Sequence, residues 1–208
     1  MAPGSMKEEV PVYDVCHSEE LLFEHGNELS DFRFPWRNQP VPITRFRAVW
    51  NDLYLAFRFQ VEDDDLVLPD ASDEGEGALA SDRVELFFSP SVDLLPFYYG
   101  AEMDPRGRVY DYRASFHRQF DPDWSFRTLH FSGSITEEGY EVSGRMELVE
   151  LRDLGCLRKG EMRTGVFRAE FSHGIDGIEQ NWISWVSPQS ATPDFHIPSS
   201  FGRFRFVG

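Results

Sequence analysis

Three carboxylates stand within or at the ends of candidate strands: Asp63 in "VEDDD", Glu85 in "DRVELF" and Glu102 in "FYYGAEM". A guanidinium, Arg113, follows in "DYRAS". Carboxylates accept hydrogen bonds and guanidinium groups donate them, so this set can read the hydroxyls of a polar ligand. Two carboxylates facing each other at about 5 to 9.5 Å would instead serve as acid and base on a glycoside. A second concentration of chemistry closes the chain, where "SWVSPQSATPDFHIPSSFGRFRF" sets Phe195 and His196 among prolines. A terminus without a task frays in small polar residues, whereas rings on a stiff loop tend to bind something. A single loop histidine has no partner at metal-ligand spacing, so His196 reads as a hydrogen-bonding neighbour of the ring beside it. Tyr98, Gly100 and Glu102 alternate onto one strand face, and the missing side chain at Gly100 leaves a spot where a ligand can approach the backbone. Glu85 alternates with positions that read as exposed, so a surface pair with a cross-strand arginine is its other reading.

The elements that must position these residues are strands. In "VWNDLYLAFRFQVE" two extended runs meet at Asn51-Asp52, and the second places Leu53, Leu55, Phe57, Phe59 and Val61 on one side, a period of two with a hairpin turn. "DRVELFFS" repeats it, Val84, Leu86 and Phe88 against Arg83, Glu85 and Phe87. Asp104-Pro105-Arg106-Gly107 carries the residue types of a type I turn and predicts a hairpin of strands near 97–103 and 107–115. Further strands are expected at 127–133 and in "YEVSGRMEL", "RTGVFRAEFS", "NWISWV" and "RFRF", with Trp185 alternating with Ile183 as core. The one helical piece is "LVELRDLG", ended by Gly155. About nine short strands separated by turn signals, in a chain with 19 Phe, predict an all-β, antiparallel sandwich of one domain. Residues 1–40 read as an irregular arm that packs Phe34 and Trp36 against a body spanning 41–208.

A net charge of −16 argues against partners bound through phosphates, so neither nucleic acid nor an anionic membrane is expected. Eight of the 36 acids lie in "EDDDLVLPDASDEGE", a solvated loop or a cation site. Cys16 and Cys156 define neither a disulfide scaffold nor a zinc site. No apolar run reaches the length of a membrane span, and "MAPGSMKEEV" lacks the apolar stretch of a secretory signal. The GxGxxA in "DEGEGALA" follows an acidic loop rather than a strand, which argues against a phosphate cradle, and the acidic stretch fails the spacing of an EF-hand.

In order, "VWNDLYLAFRFQVEDDDL", "SDRVELFFSP", "FYYGAEMDPRGRVYDYR", "GYEVSGRMEL" and "NWISWVSPQS…FHIPSSFGRFRF" resemble the carbohydrate-binding modules of family 9, often attached to xylanases and related to the wider DOMON group. The resemblance covers about residues 43–206. It implies a β-sandwich of jelly-roll type that binds a mono- or oligosaccharide, such as a chain end, between aromatic rings without catalysis. It also implies structural calcium, no organic cofactor, a monomer or a part of a larger polysaccharide-degrading system, and a secreted or periplasmic site of action. Carried over by position, Asp63 and Glu85 match family acids, the two ring positions fall at Leu79 and Phe195, and the family's polar pair falls near Gly100 and Glu102. Arg113, on the partner strand, is then the candidate guanidinium. A haem-binding redox domain of the DOMON type would need Met103 and a histidine as axial ligands.

Overall fold

The computed structural model describes residues 10–121 and 123–208, so residues 1–9 of the expected arm lie outside the described residues. The first strand, β1 (Val12–His17), is followed by the short β2 (Glu28–Leu29) and by the hairpin β3 (Thr44–Trp50) and β4 (Tyr54–Glu62). A helical turn, α1 (Glu74–Leu79), leads into β5 (Arg83–Ser89), and the hairpin β6 (Tyr98–Met103) and β7 (Val109–Ser115) continues into β8 (Gln119–Asp121). The second half holds β9 (His130–Ile135), β10 (Gly139–Glu147), α2 (Leu148–Asp153), β11 (Glu161–Gly174), β12 (Gly177–Ser184) and β13 (Gly202–Val207).

The strands run β8-β7-β6-β5-β11-β13-β1-β3-β4-β10-β9, with β12 on β11 and β2 on β3. This long sheet curls over itself into a β-sandwich. Its core interleaves Val84, Leu86 and Phe88 of β5 with Phe57, Phe59 and Val61 of β4 and Val142 of β10. Every pairing is antiparallel except those of β1, which runs parallel to both β13 and β3. The arm read as irregular thus contributes a strand to the middle of the sheet, and its Phe34 is buried in the core. A six-residue strand whose neighbours come from residues 44–50 and 202–207 carries no local hairpin signal.

Alternation in β4 is as read, except that Leu53 lies in the turn and is 63% exposed. The Asp104–Gly107 turn closes the β6–β7 hairpin, with Gly107 at φ +83 and Asp104 Oδ1 accepting from the amides of Arg106 and Arg108 at 2.9 Å. In that conformation a residue with a Cβ would be strained. Cys16 and Cys156 are both free thiols. Among the described residues no helix is long and apolar enough to cross a membrane.

One feature of β5 decides where the site lies. All seven of its residues are buried, on both faces. The inner face meets the core. The outer face carries Phe87, which joins Tyr98, Tyr112, Phe167, Phe195 and Phe201 in a second apolar cluster roofed by the loop before β13.

Candidate functional site

On that outer face β5 and β6 set Glu85 opposite Glu102 in register. Arg83, two residues before Glu85, bridges them: its Nη2 lies 3.0 Å from Glu85 Oε1, and its Nε donates to Glu102 Oε2 at 2.8 Å. Nη1 donates to the carbonyl of Leu79 at 3.0 Å, so the end of α1 orients the guanidinium. All three charged side chains are buried. Burial, and then the charge of Glu102, pushes the Glu85 carboxyl well above its ordinary range, against the pull of Arg83. Glu85 is therefore not the exposed surface acid that its alternation allowed, because the closing loop covers the face it shares with Phe87.

Tyr112 donates its hydroxyl to Glu102 Oε1 at 3.2 Å. Its ring reaches that place by lying across Gly100, where a Cβ would run into the ring and its hydroxyl. The gap expected at Gly100 is thus filled by the protein itself. Gly100→Ala is expected to cost about 1–3 kcal/mol by overpacking and to dislodge Tyr112 from Glu102, seen as a lower melting temperature and an altered near-ultraviolet circular dichroism spectrum. An unchanged melting temperature would contradict this placement.

The closing loop forms the roof. Phe195 stacks on Phe167 with centroids 4.1 Å apart and planes 13° from parallel. His196 Nδ1 lies 2.9 Å from the Tyr98 hydroxyl, and its backbone amide donates to Asp194 Oδ1 at 2.9 Å. Burial, followed by the nearby charge of Arg118, drops the His196 pKa to about 3, so the ring stays neutral. Asp194 also receives Arg118 at 3.0 Å. Inside the loop the Ser200 hydroxyl donates to the carbonyl of Ile197 at 2.7 Å.

These elements enclose a cleft of about 310 Å³. One wall is Trp182 of β12 with Trp36, whose rings lie 5.9 and 5.7 Å from Phe195; Trp36 is anchored by its Nε1 donating to the Ser190 carbonyl at 3.0 Å. Across β5 and β6, Tyr110 and Phe120 form the other wall, their rings 5.3 and 4.9 Å from Tyr112. The guanidinium of Arg83 lies 5.6 Å from the centre of the Trp182 ring, so the floor charge also steadies a wall ring.

Of the residues singled out from the sequence, Glu85, Glu102, Leu79, Phe195 and His196 line this cleft. Tyr98 lies beneath it, fully buried, and holds His196. Arg113 does not reach it. It pairs across to Tyr99, a core residue, so it is out of phase with Tyr110 and Tyr112; it pairs instead with Asp121 and lies 4.6 Å from the centre of the Phe97 ring. Asp63 does not reach it either. Its Oδ2 binds Arg168 at 3.0 Å, and Arg168 pairs with inner-facing Val84, so the two lie on the other face of the sheet from Glu85. Sequence reading passed over Arg83, Trp36, Trp182, Tyr110, Arg118, Phe120 and Asp194. The legible signals were the phase of Trp182, opposite to core Trp185 in "NWISWV", and that of Tyr110, opposite Glu102 across the hairpin.

Asp63, Asp82 and Glu170 bring carboxylate oxygens within 4.8 Å of one another. Calcium takes about six to eight oxygen ligands. Here Asp82 already accepts from the amides of Phe171 and Val67, at 2.6 Å each, and the fully buried Arg168 guanidinium pairs with both Asp63 and Glu170. The cluster carries its own cation and does not fit a calcium cage. Met103 lies in the inner core, on the face of β6 opposite to Tyr98, which holds His196, so Met103 and His196 are on different sides of the sheet.

The profile of the carbohydrate family 9 binding domain-like family matches residues 25–208. The chain belongs to that family. Three solved structures share the fold of this chain at low identity. A protein from Bacteroides uniformis ATCC 8492, inferred to be carbohydrate-binding, is 14% identical, with a TM-score of 0.70 over 96% of this chain and 100% of its own. A family 9 carbohydrate binding module from Caldicellulosiruptor kristjanssonii, in complex with cellotriose, is 12% identical, with a TM-score of 0.62 over 95% and 94%. One from the same organism in complex with glucose is 15% identical, with a TM-score of 0.55 over 95% and 96%. No curated protein matches the sequence. Membership of family 9 accounts for the jelly-roll sandwich, whereas the rings of this cleft come from Phe195 with Trp36, Trp182, Tyr110 and Phe120, and not from position 79.

Proposed function

We propose that this family 9 domain binds a mono- or oligosaccharide, without catalysis, in the cleft between the Trp36–Trp182 wall and the Tyr110–Phe120 wall. The observation that carries the reading is the combination of facing aromatic walls with a floor of mutually neutralising polar groups, Arg83, Glu85 and Glu102. Pyranose C–H faces pack on aromatic faces, while the fixed carboxyl and guanidinium groups read the hydroxyls. The cleft is at the small end of the ~300–1,000 Å³ typical of ligand sites, which suits one or two sugar units. On this reading the domain works outside the cytoplasm, beside polysaccharide-degrading enzymes.

A glycoside hydrolase reading asks more of the acids than they can give. Glu85 and Glu102 hold the same guanidinium on neighbouring strands, so no glycosidic bond can be flanked by them, and Asp63 is elsewhere. No turnover of chromogenic glycosides is expected.

Binding in the millimolar to micromolar range, about −4 to −8 kcal/mol, is expected by calorimetry, with glucose and cellotriose as first probes and a glycan array as the wider panel. Trp182→Ala is expected to weaken it about tenfold to thirtyfold. Absence of binding to every saccharide at millimolar concentration, or full affinity in Trp182→Ala, would overturn the proposal.

A further inference from the structure

Arg163 is half-buried and, among the described residues, pairs with no carboxylate, although the chain carries 36 acids against 20 bases. Its neighbour in register is a second arginine, Arg203 of β13. Arg203 has Glu161 at 3.2 Å, on the side away from the loop. For Arg163 the polar partner is the Pro198 carbonyl, which accepts from Nη2 at 3.0 Å, and its Nε is buried without one. Burial and the repulsion of Arg203 both press its pKa downward, the reverse of what an internal ion pair does.

Arg163 opens onto a groove of about 280 Å³ that also takes in Arg33, Asp31, Trp185, Pro198, Ser199 and Phe201, so two guanidinium groups meet one carboxylate in it. Arg33 is held only loosely, 3.8 Å from Asp31. The groove lies on the other flank of the closing loop from the saccharide cleft: Pro193–His196 line the cleft, and Pro198, Ser199 and Phe201 line the groove. Neither Trp182 nor Glu85 reaches it.

The geometry points to a second ligand site, centred on Arg163 with Arg33 lining the same groove, that takes an oxyanion: the carboxylate or sulfate group of an acidic saccharide, or the free ion. Guanidinium forks match planar and tetrahedral oxyanions through paired, charge-assisted hydrogen bonds, and a groove closed on one side by protein strengthens them. The site is independent of the proposed saccharide cleft, since it shares no side chain with it.

The test uses the full chain, with sodium glucuronate, sodium sulfate and glucose as probes, followed by nuclear magnetic resonance shifts and by calorimetry. Glucuronate and sulfate are expected to bind and to compete, and glucose not to displace them. Arg163→Gln is expected to weaken both about tenfold, and Arg163→Lys to recover part of the loss. Trp182→Ala is expected to leave both unchanged while it weakens glucose, so failure of either site shows separately. Sulfate binding without glucuronate would retain the site and assign it to the free ion. If Arg163→Gln does not fold, Arg33→Gln, in the lining of the same groove, gives the same reading. Absence of binding by both anions at millimolar concentration, binding indifferent to both arginine changes, or glucuronate binding lost in Trp182→Ala would each overturn the inference.

Discussion

Arg168→Met is expected to lower stability by about 3–5 kcal/mol at pH 8, a fall in melting temperature on the order of 10 °C for a chain of this size. Arg168 has no exposed surface, and its guanidinium pairs with Asp63 and Glu170 and donates to the Thr44 hydroxyl at 3.2 Å. Methionine fills much of the same volume but leaves those acids buried without a cation, the situation in which a broken internal pair costs most. The cost should shrink at pH 5. Burial lifts the Asp82 carboxyl to about 7 and that of Glu170 to about 8, so near pH 5 both can take protons and shed the charge that Arg168 would have balanced. Adding Asp63→Asn and Glu170→Gln should recover most of the loss at pH 8. Urea unfolding at the two pH values decides the matter, and equal destabilisation at both would sink it.

Stability is also expected to fall as pH rises from about 4.5 to 8, by several kcal/mol. Asp82, Glu170 and Glu85 have folded-state pKa values raised above those of the unfolded chain, first through burial. Between the ordinary carboxylate pKa and the raised one, the folded state holds protons that the unfolded state has released, so each group's stabilisation is full at low pH and lost on the way up. His196 acts in the opposite direction. Its folded pKa, lowered to about 3, makes the unfolded chain the better proton binder up to about 6.5, which offsets part of the acids' contribution below that pH and none above it. Three acids outweigh one histidine, so the decline is already under way below the ordinary histidine pKa and steepens just above it. At the acid end, Glu150 accepts the amides of Arg127 and Thr128 at 2.9 Å and has a lowered pKa, so stability is lost again as pH falls through the carboxylate range. Thermal melts from pH 3 to 9 should show a maximum at about pH 4 to 5, with the decline on its alkaline side flattened in Glu170→Gln. A maximum at pH 8 would contradict the assignment of these buried acids.

Much of the scaffold was legible because its signals are local. The alternation of Leu55, Phe57, Phe59 and Val61 names the inner face of β4, the Asp104–Gly107 turn determines the register of β6 on β7, and Gly155 ends α2. Given that register, even the phase of Arg113 with Tyr99 could have been read. Two elements stayed hidden. In "DEGEGALA" the glycines lower helix propensity, yet Asp73 accepts the Glu76 amide at 2.9 Å and starts α1. In "VYDVCH" the strand pairs only with distant partners.

The sequence by itself determined the sandwich, the family and the two acids at positions 85 and 102, since strand period, turn chemistry and motif order are properties of short stretches. Only the tertiary structure decided that the closing loop lies over the outer face of β5, which turned Glu85 from a surface acid into a buried partner of Arg83 and assembled rings from Trp36, Tyr110, Phe120 and Trp182 around it. It also sent Asp63 to Arg168 and Arg113 to Asp121. The physical reason is that desolvation and charge pairing depend on which side chains meet across the sheet, and strand neighbours as distant in sequence as Val12 and Arg203 leave no periodic trace of that meeting.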